Sequence, residues 1–201
     1  MDLEQLDALL AGKIATLTLR PAGVALADAP PEGAILSGAF NPLHAGHLGM
    51  AAAAAQLTGL PASFELAVVN ADKGALAAAE VVRRAAQFAG RHTLTLSREP
   101  LFAGKAALYP GRSFVLGYDT AARLLDPRYY GGERGLREAL AAIAAHGCRL
   151  LVAGRIADGR FRTLADLPVP AAFSGSFVAI SENLFRADIS SSQLREQQRR
   201  A

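Results

Sequence analysis

The chain has 201 residues, with 21 lysines and arginines against 18 aspartates and glutamates and a formal charge of +3. That length suits one α/β domain with a small appended element, and the cationic excess is too small and too scattered to mark a nucleic-acid-binding surface. Hydrophobic residues make up 51% of the chain, but alanine supplies much of that, and no uninterrupted apolar run of about 18 residues is present to span a bilayer. Asp2, Glu4 and Asp7 stand where a secretory leader would carry basic residues, so the cytoplasm is the expected compartment and no membrane partner is expected. Oligomeric state is not legible, and a homo-oligomer stays open. The single cysteine, Cys148, has no partner for an internal disulfide and reads as a small buried hydrophobe in an apolar run.

In chain order, residues 1–29 predict a helix and a strand (14–19), and Pro30-Pro31-Glu32-Gly33 marks a turn that closes an extension over 1–33. A single larger domain is predicted over 34–201. Short β-branched or aromatic runs predict strands over 34–37, 64–69, 93–97, 113–117, 149–153 and 177–180. Longer alanine-rich segments between them predict helices over 46–57, 76–89, 120–125, 135–145 and 191–199. The block Ala51 to Ala55 reads as helix and not linker, because alanine is the best helix former and lets a helix pack closely on a sheet. Alternation of this kind predicts a Rossmann-like parallel sheet with helices on both faces. The stretch 154–176, with its glycines, prolines and polar residues, is long for a plain connection and has the composition of a lid or of a disordered loop.

The segment richest in chemistry is Gly38-Ala39-Phe40-Asn41-Pro42-Leu43-His44-Ala45-Gly46-His47, between an apolar strand and the alanine-rich helix. Gly38 lets the backbone turn close to a ligand, Pro42 stiffens the turn, and Gly46 opens a helix whose first amides and positive dipole end attract anions. His44 and His47, three residues apart, fall on one face if the helix begins near them. Two imidazoles there suit a metal or a polyphosphate. No paired cysteine and no HExxH spacing supplies further metal ligands, and His92 and His146 stand far off in sequence, so no protein-bound metal is predicted.

This run resembles the GxFxPxHxGH signature of the HxGH nucleotidyltransferase superfamily, which includes nicotinamide mononucleotide, nicotinate mononucleotide and pantetheine-phosphate adenylyltransferases and several cytidylyltransferases. Ile189-Ser190-Ser191-Ser192-Gln193-Leu194-Arg195 is similar to the ISSTxIR signature of the same superfamily. Phe114-Val115-Leu116-Gly117-Tyr118-Asp119 resembles the strand-GxD segment of the nicotinamide-type members, and Asn70-Ala71-Asp72-Lys73, followed by Glu80, Arg83 and Arg84, looks like their lysine-then-arginine segment. The resemblance covers roughly 34–199.

It implies the HxGH nucleotidyltransferase fold and transfer of AMP from ATP to a phosphate-bearing acceptor, with release of pyrophosphate. By the same resemblance, His44, His47 and Arg195 are the expected catalytic residues. Gly38, Phe40, Asn41, Gly46, Ser191 and Ser192 would hold ATP, Lys73 would neutralise phosphate charge, and Gly117 and Asp119 would stand beside the bound nucleotides. Asp119 reads equally as a ribose ligand or as a helix cap before Thr120. Mg2+ is expected to arrive with the triphosphate, since no carboxylate cluster suggests a protein cage.

The GxD segment favours nicotinamide or nicotinate mononucleotide as acceptor. The chain has no tryptophan to stack on a pyridine ring, and Tyr129 and Tyr130 are the nearest aromatic substitutes. Pantetheine phosphate, cytidylyl transfer and a catalytically silent nucleotide-binding module remain as alternatives. A class I aminoacyl-tRNA synthetase shares a similar turn, but this length leaves little room for a tRNA-binding domain.

Overall fold

A computed structural model describes residues 3–70, 74–157 and 159–186. The predicted helix over 191–199 therefore lies outside the described residues. Helix α1 (Leu3–Leu10) leads into strands β1 (Thr16–Leu19), β2 (Ala25–Ala27) and β3 (Ala34–Ser37), and α2 spans Ala45–Thr58. Strand β4 (Ala62–Ala67) is followed by a small ribbon, β5 (Val69–Asn70) with β6 (Gly74–Ala75), and then by α3 (Ala78–Ala85). Next come β7 (Leu94–Ser97), α4 (Phe102–Leu108), β8 (Ser113–Gly117), α5 (Tyr118–Leu124), α6 (Glu133–Ala145) and β9 (Arg149–Ala153). A second ribbon pairs β10 (Arg155–Ala157) with β11 (Arg160–Arg162), and β12 (Phe177–Ile180) completes the main sheet.

That eight-stranded sheet has the order β12-β9-β8-β3-β4-β7-β1-β2. From β12 to β7 the neighbours are parallel, while β1 runs antiparallel to β7 and to β2. The winding reverses at β3. From β3 the chain moves outward to β4 and β7, then returns to the other side of β3 to lay down β8, β9 and β12. This is the Rossmann-like order, and its reversal between β3 and β8 leaves a crevice at the carboxyl ends of those two strands, because the flanking connections leave in opposite directions.

Strand alternation divides the interior between the two faces of the sheet. Leu36, Phe64, Leu66, Leu94, Leu96 and Val115 pack with Leu6 and Leu9 of α1, Ala51 and Ala54 of α2 and Val81 of α3. Ile35, Phe114, Leu116, Leu150 and Val152 pack on the other face with Phe102 of α4, Leu124 of α5 and Leu136, Leu140 and Ile143 of α6. Helices thus lie on both faces. The alanine-rich α2 buries Gly46, Ala51, Ala53 and Ala54, small residues that bring its axis close to the sheet. No helix of the described residues is long and apolar enough to cross a membrane.

Several expectations change. The stretch 154–176, expected as a lid or a disordered loop, contains the β10–β11 ribbon and two short 3-10 turns at Leu164–Asp166 and Ala171–Ser176. The predicted helix over 76–89 ends at Ala85 and tightens into a 3-10 turn over Ala86–Phe88. Helix α4 was not expected, and the strands of residues 1–33 extend the main sheet at one edge.

On the face carrying α4, the strand positions that alternate with Phe64, Leu66, Leu94 and Leu96 are Ser63, Glu65, Thr95 and Ser97, and all four are buried. The Glu65 carboxylate accepts from Lys105 Nζ at one oxygen and from Ser97 Oγ at the other, each at 2.5 Å. Both charged side chains are almost wholly removed from solvent, at 0% and 4% exposure. A buried carboxylate stripped of its cation has nothing to offset its desolvation. Lys105→Met should therefore lower unfolding free energy by about 3–5 kcal/mol, while Glu65→Leu combined with Lys105→Met should recover much of that loss. Urea denaturation of the two variants checks both expectations.

Candidate functional site

Strand β3 ends at Ser37 because the next residues turn. Gly38 N–H still donates to the Glu65 carbonyl (3.0 Å), and then the backbone leaves the sheet. Phe40 adopts φ 46°, a left-handed conformation uncommon for a bulky residue, and a cis peptide joins Asn41 to Pro42. A Cβ on Gly38 would stand 2.8 Å from the Phe40 ring, so glycine is what lets this turn fold over itself. The Phe40 ring is buried and meets Phe64, Phe88 and His47 edge-on.

The turn ends at His44, which occupies the N-cap of α2 in extended conformation. His44 and His47 stack with ring centroids 3.8 Å apart, on one face as their spacing predicts. The His44 backbone N–H donates to His47 Nδ1 (3.3 Å), so the neutral His47 ring carries its hydrogen on Nε2. Burial, and then the neighbouring His44, hold the His47 imidazole down to about 4, and burial also lowers His44. At neutral pH the helix start therefore presents a neutral imidazole whose free nitrogen is a hydrogen-bond donor, beside the positive end of the α2 dipole.

Helix α3 holds the turn from outside. Glu80 accepts from Arg83 and Arg84, whose guanidiniums, Arg83 first, hold its carboxyl down to about 2. Arg83 Nη2 in turn donates to Asn41 Oδ1 (2.7 Å), and Arg84 Nη1 to the Ala39 carbonyl (3.0 Å). Gln87, which the sequence reading did not single out, donates to the Phe40 carbonyl (2.9 Å) and accepts from the Leu43 N–H (2.8 Å).

Across the crevice, β8 ends at Gly117, the N-cap of α5. Asp119 lies in the first turn of α5 and not at its cap, which corrects the capping alternative. Its carboxylate pairs with Arg155 at the start of β10, a residue the sequence reading also missed. The β10–β11 ribbon folds tightly back, since a Cβ on Gly154 would stand 2.7 Å from both the Arg162 carbonyl and the Phe161 ring. Beyond β12 the chain returns to α2, where Phe185 packs so close that a Cβ on Gly49 would meet its ring at 2.7 Å. Lys73, Ser191, Ser192 and Arg195 lie outside the described residues.

A cavity of about 300 Å³ opens from the same turn. Its lining includes Gly38 and Ala39 of the turn, Leu101, Phe102 and Lys105, and Arg123, Tyr129 and Tyr130. Arg123 donates to the Tyr129 hydroxyl (3.2 Å) and lies over that ring. The structure thus brings Gly38, Phe40, Asn41 and His44 into one turn at the carboxyl end of β3, with Gly46 and His47 in the first turn of α2 that follows. Gly117 and Asp119 stand at the adjoining end of β8. Among the described residues no group of three or more histidine, cysteine, aspartate or glutamate side chains stands together to hold a metal ion.

No family model matches the chain, and no curated protein matches it.

His47 should titrate near 4 in imidazole NMR spectra, with the Nε2–H tautomer dominant above that value. The unfolded chain takes up this proton at the ordinary 6.5, so the unfolded state binds more protons between the two values. Stability is then full above 6.5 and declines as the pH falls toward about 4. His47→Gln should flatten that part of a pH series of urea midpoints, and an unchanged slope would remove the assignment.

Proposed function

We propose that this protein is a nucleotidyltransferase of the HxGH type that transfers AMP from MgATP to a phosphate-bearing acceptor. The observation that carries the reading is the location of the Gly38–His44 turn: it lies at the switch point of a Rossmann-like sheet and leads directly into the N-terminus of α2, where His47 stands. That crevice is where doubly wound folds hold nucleotides, and a helix start is where they hold phosphate. The resemblance of this turn, and of Ile189 to Arg195, to the two signatures of the superfamily supplies the reaction type.

In this reading the triphosphate lies over the start of α2. An acceptor phosphate oxygen attacks the α-phosphorus in line, a new phosphorus–oxygen bond forms, the bond to the β-phosphate bridging oxygen breaks, and pyrophosphate leaves with its magnesium. The protein supplies position and charge neutralisation, with no covalent intermediate. His47 donates from Nε2 to the phosphoryl oxygens, and because its ring is neutral it does so without giving up a proton. His44 stacks on it and caps the helix. Asp119, held by Arg155, faces the ribose side of the crevice.

Lys73, Ser191, Ser192 and Arg195 complete the phosphate contacts in this reading. Phe185 on Gly49 brings the chain back to α2 shortly before the serine-rich signature begins.

The cavity beside Gly38 suits the acceptor. Its aromatic side at Tyr129 and Tyr130 offers stacking for a flat ring, which favours nicotinamide or nicotinate mononucleotide over pantetheine phosphate. Burial raises the Tyr130 hydroxyl above its ordinary value, so the ring stands neutral against any substrate.

Pyrophosphate release from MgATP or MgCTP, measured with each of these acceptors, tests the reading. ATP with a pyridine mononucleotide should give the fastest turnover, and His47→Ala should lower that turnover by about 10²-fold or more. A folded His47→Ala protein within threefold of the parent would overturn the role of His47. Nucleotide binding without pyrophosphate release for any pair would identify a silent module instead.

A further inference from the structure

The turn between β3 and α2 has a feature that its own residues do not explain. Phe40 is held at φ 46°, where a non-glycine residue is strained, and such conformations persist only where surrounding structure over-determines them. Arg83 and Arg84 hold Asn41 and the Ala39 carbonyl, while the two backbone groups that flank the tight core of the turn, the Phe40 carbonyl and the Leu43 N–H, share one side chain. Gln87, in the 3-10 turn that ends α3, accepts the Leu43 N–H at Oε1 (2.8 Å). Its Nε2 donates to the Phe40 carbonyl (2.9 Å) and to the Arg84 carbonyl (3.1 Å).

The Phe40 carbonyl and Leu43 N–H are the pair that a direct bond would join across a tight four-residue turn. Here the planar amide of Gln87 is inserted between them, with a donor toward one and an acceptor toward the other. Both of its N–H bonds are used on carbonyls, so the orientation of the amide is fixed by its partners. The next residue, Phe88, packs its ring edge-on against Phe40 at 5.1 Å, so backbone and side chain of the turn are gripped by the same two positions.

We infer that Gln87 is the positioning residue of this site: its amide clamps the strained Phe40–Leu43 turn and thereby fixes where His44 and His47 stand at the start of α2. The catalytic consequence rests on the phosphate-docking reading above, but the geometric consequence does not. His44 follows Leu43 directly, and its N–H sets the orientation of His47. Slackening the clamp lets the two rings part and hydrate. No other common side chain replaces the amide. Methionine fills similar space with no donor, and ionised glutamate presents only acceptors to two carbonyls, whereas protonated glutamate regains one donor.

Two variants in the full-length protein test this. In Gln87→Met, the His47 titration should move upward from about 4 toward the ordinary 6.5, while far-UV circular dichroism stays that of the parent. Turnover with MgATP and the best acceptor should fall by about 10- to 100-fold, mainly in kcat, as expected for a small misplacement of catalytic groups. In Gln87→Glu, turnover relative to the parent at the same pH should recover as the pH is lowered and the new carboxyl protonates, a rescue that Gln87→Met cannot show. An unchanged His47 titration in folded Gln87→Met overturns the proposal whatever the turnover. A Gln87→Glu deficit that does not vary with pH overturns it equally. If the parent protein itself releases no pyrophosphate, the functional reading fails, and the titration alone still decides the role of Gln87.

Discussion

The structure depends on what happens at the carboxyl end of one strand. β3 is short, both its faces are buried, and its two neighbours are reached by connections that leave in opposite directions. No helix can close over that end. The chain must still leave β3 without exposing the core or stranding backbone polar groups, and it does so through a turn strained at Phe40 and tight at Gly38. The same turn has to deliver the chain to the N-terminus of α2, whose stripe of alanines keeps the helix close to the sheet. Crevice, turn and helix start are thus one consequence of the winding order.

That consequence shapes the electrostatics. Two histidines stacked at a helix start would repel if both were charged, and the positive dipole end would add to the repulsion. Burial resolves the conflict by keeping His47 neutral, and the His44 N–H selects its tautomer. The result is an uncharged hydrogen-bond donor at the positive end of a helix. Two of the nearby fixed positive charges, Arg83 and Arg84, are turned onto Glu80, Asn41 and the Ala39 carbonyl, where they brace the turn. The arginines that follow the second core strand therefore do framework work in this structure.

How much of this was legible in the sequence varied with the physics of each part. Strands buried on both faces read as continuous apolar runs, and those over 34–37, 113–117, 149–153 and 177–180 coincide with the observed β3, β8, β9 and β12. Helix α4 was hidden because it is short and carries Gly104 and Lys105, residues that suit a loop as well. Glu65 gave a signal that could have been used: a carboxylate inside an apolar strand demands a buried partner, and Lys105 is a cation among apolar neighbours. Gln87 and Arg155 gave none, since one glutamine in a helix and one arginine after a strand look like ordinary surface residues. Their roles come from tertiary geometry, which joins positions far apart in sequence. The turn itself was legible because its glycines, proline and histidines are demanded locally.

The polar layer around Glu65 has its own place in this logic. Where α5 and α6 cover β8, β9 and β12, the interior is apolar throughout. Where β4, β7 and β1 continue the same face, Ser63, Glu65, Thr95, Ser97 and Thr18 replace the hydrophobes, and Thr18 and Thr95 bond across strands at 3.0 Å. That change begins at the wall of the cavity. The bonded groups within this layer, Glu65 with Lys105 and Ser97 and Thr18 with Thr95, tie neighbouring strands and α4 together and stiffen the cavity floor. The Glu65 carboxylate belongs to the strand next to β3, and its backbone carbonyl accepts the N–H of Gly38, where the turn begins. The buried ion pair and the strained turn are therefore adjacent parts of one rigid support, the pair fixing β4 and α4 from within and Gln87 fixing the turn from the 3-10 turn after α3. Preorganisation of the crevice follows from having both.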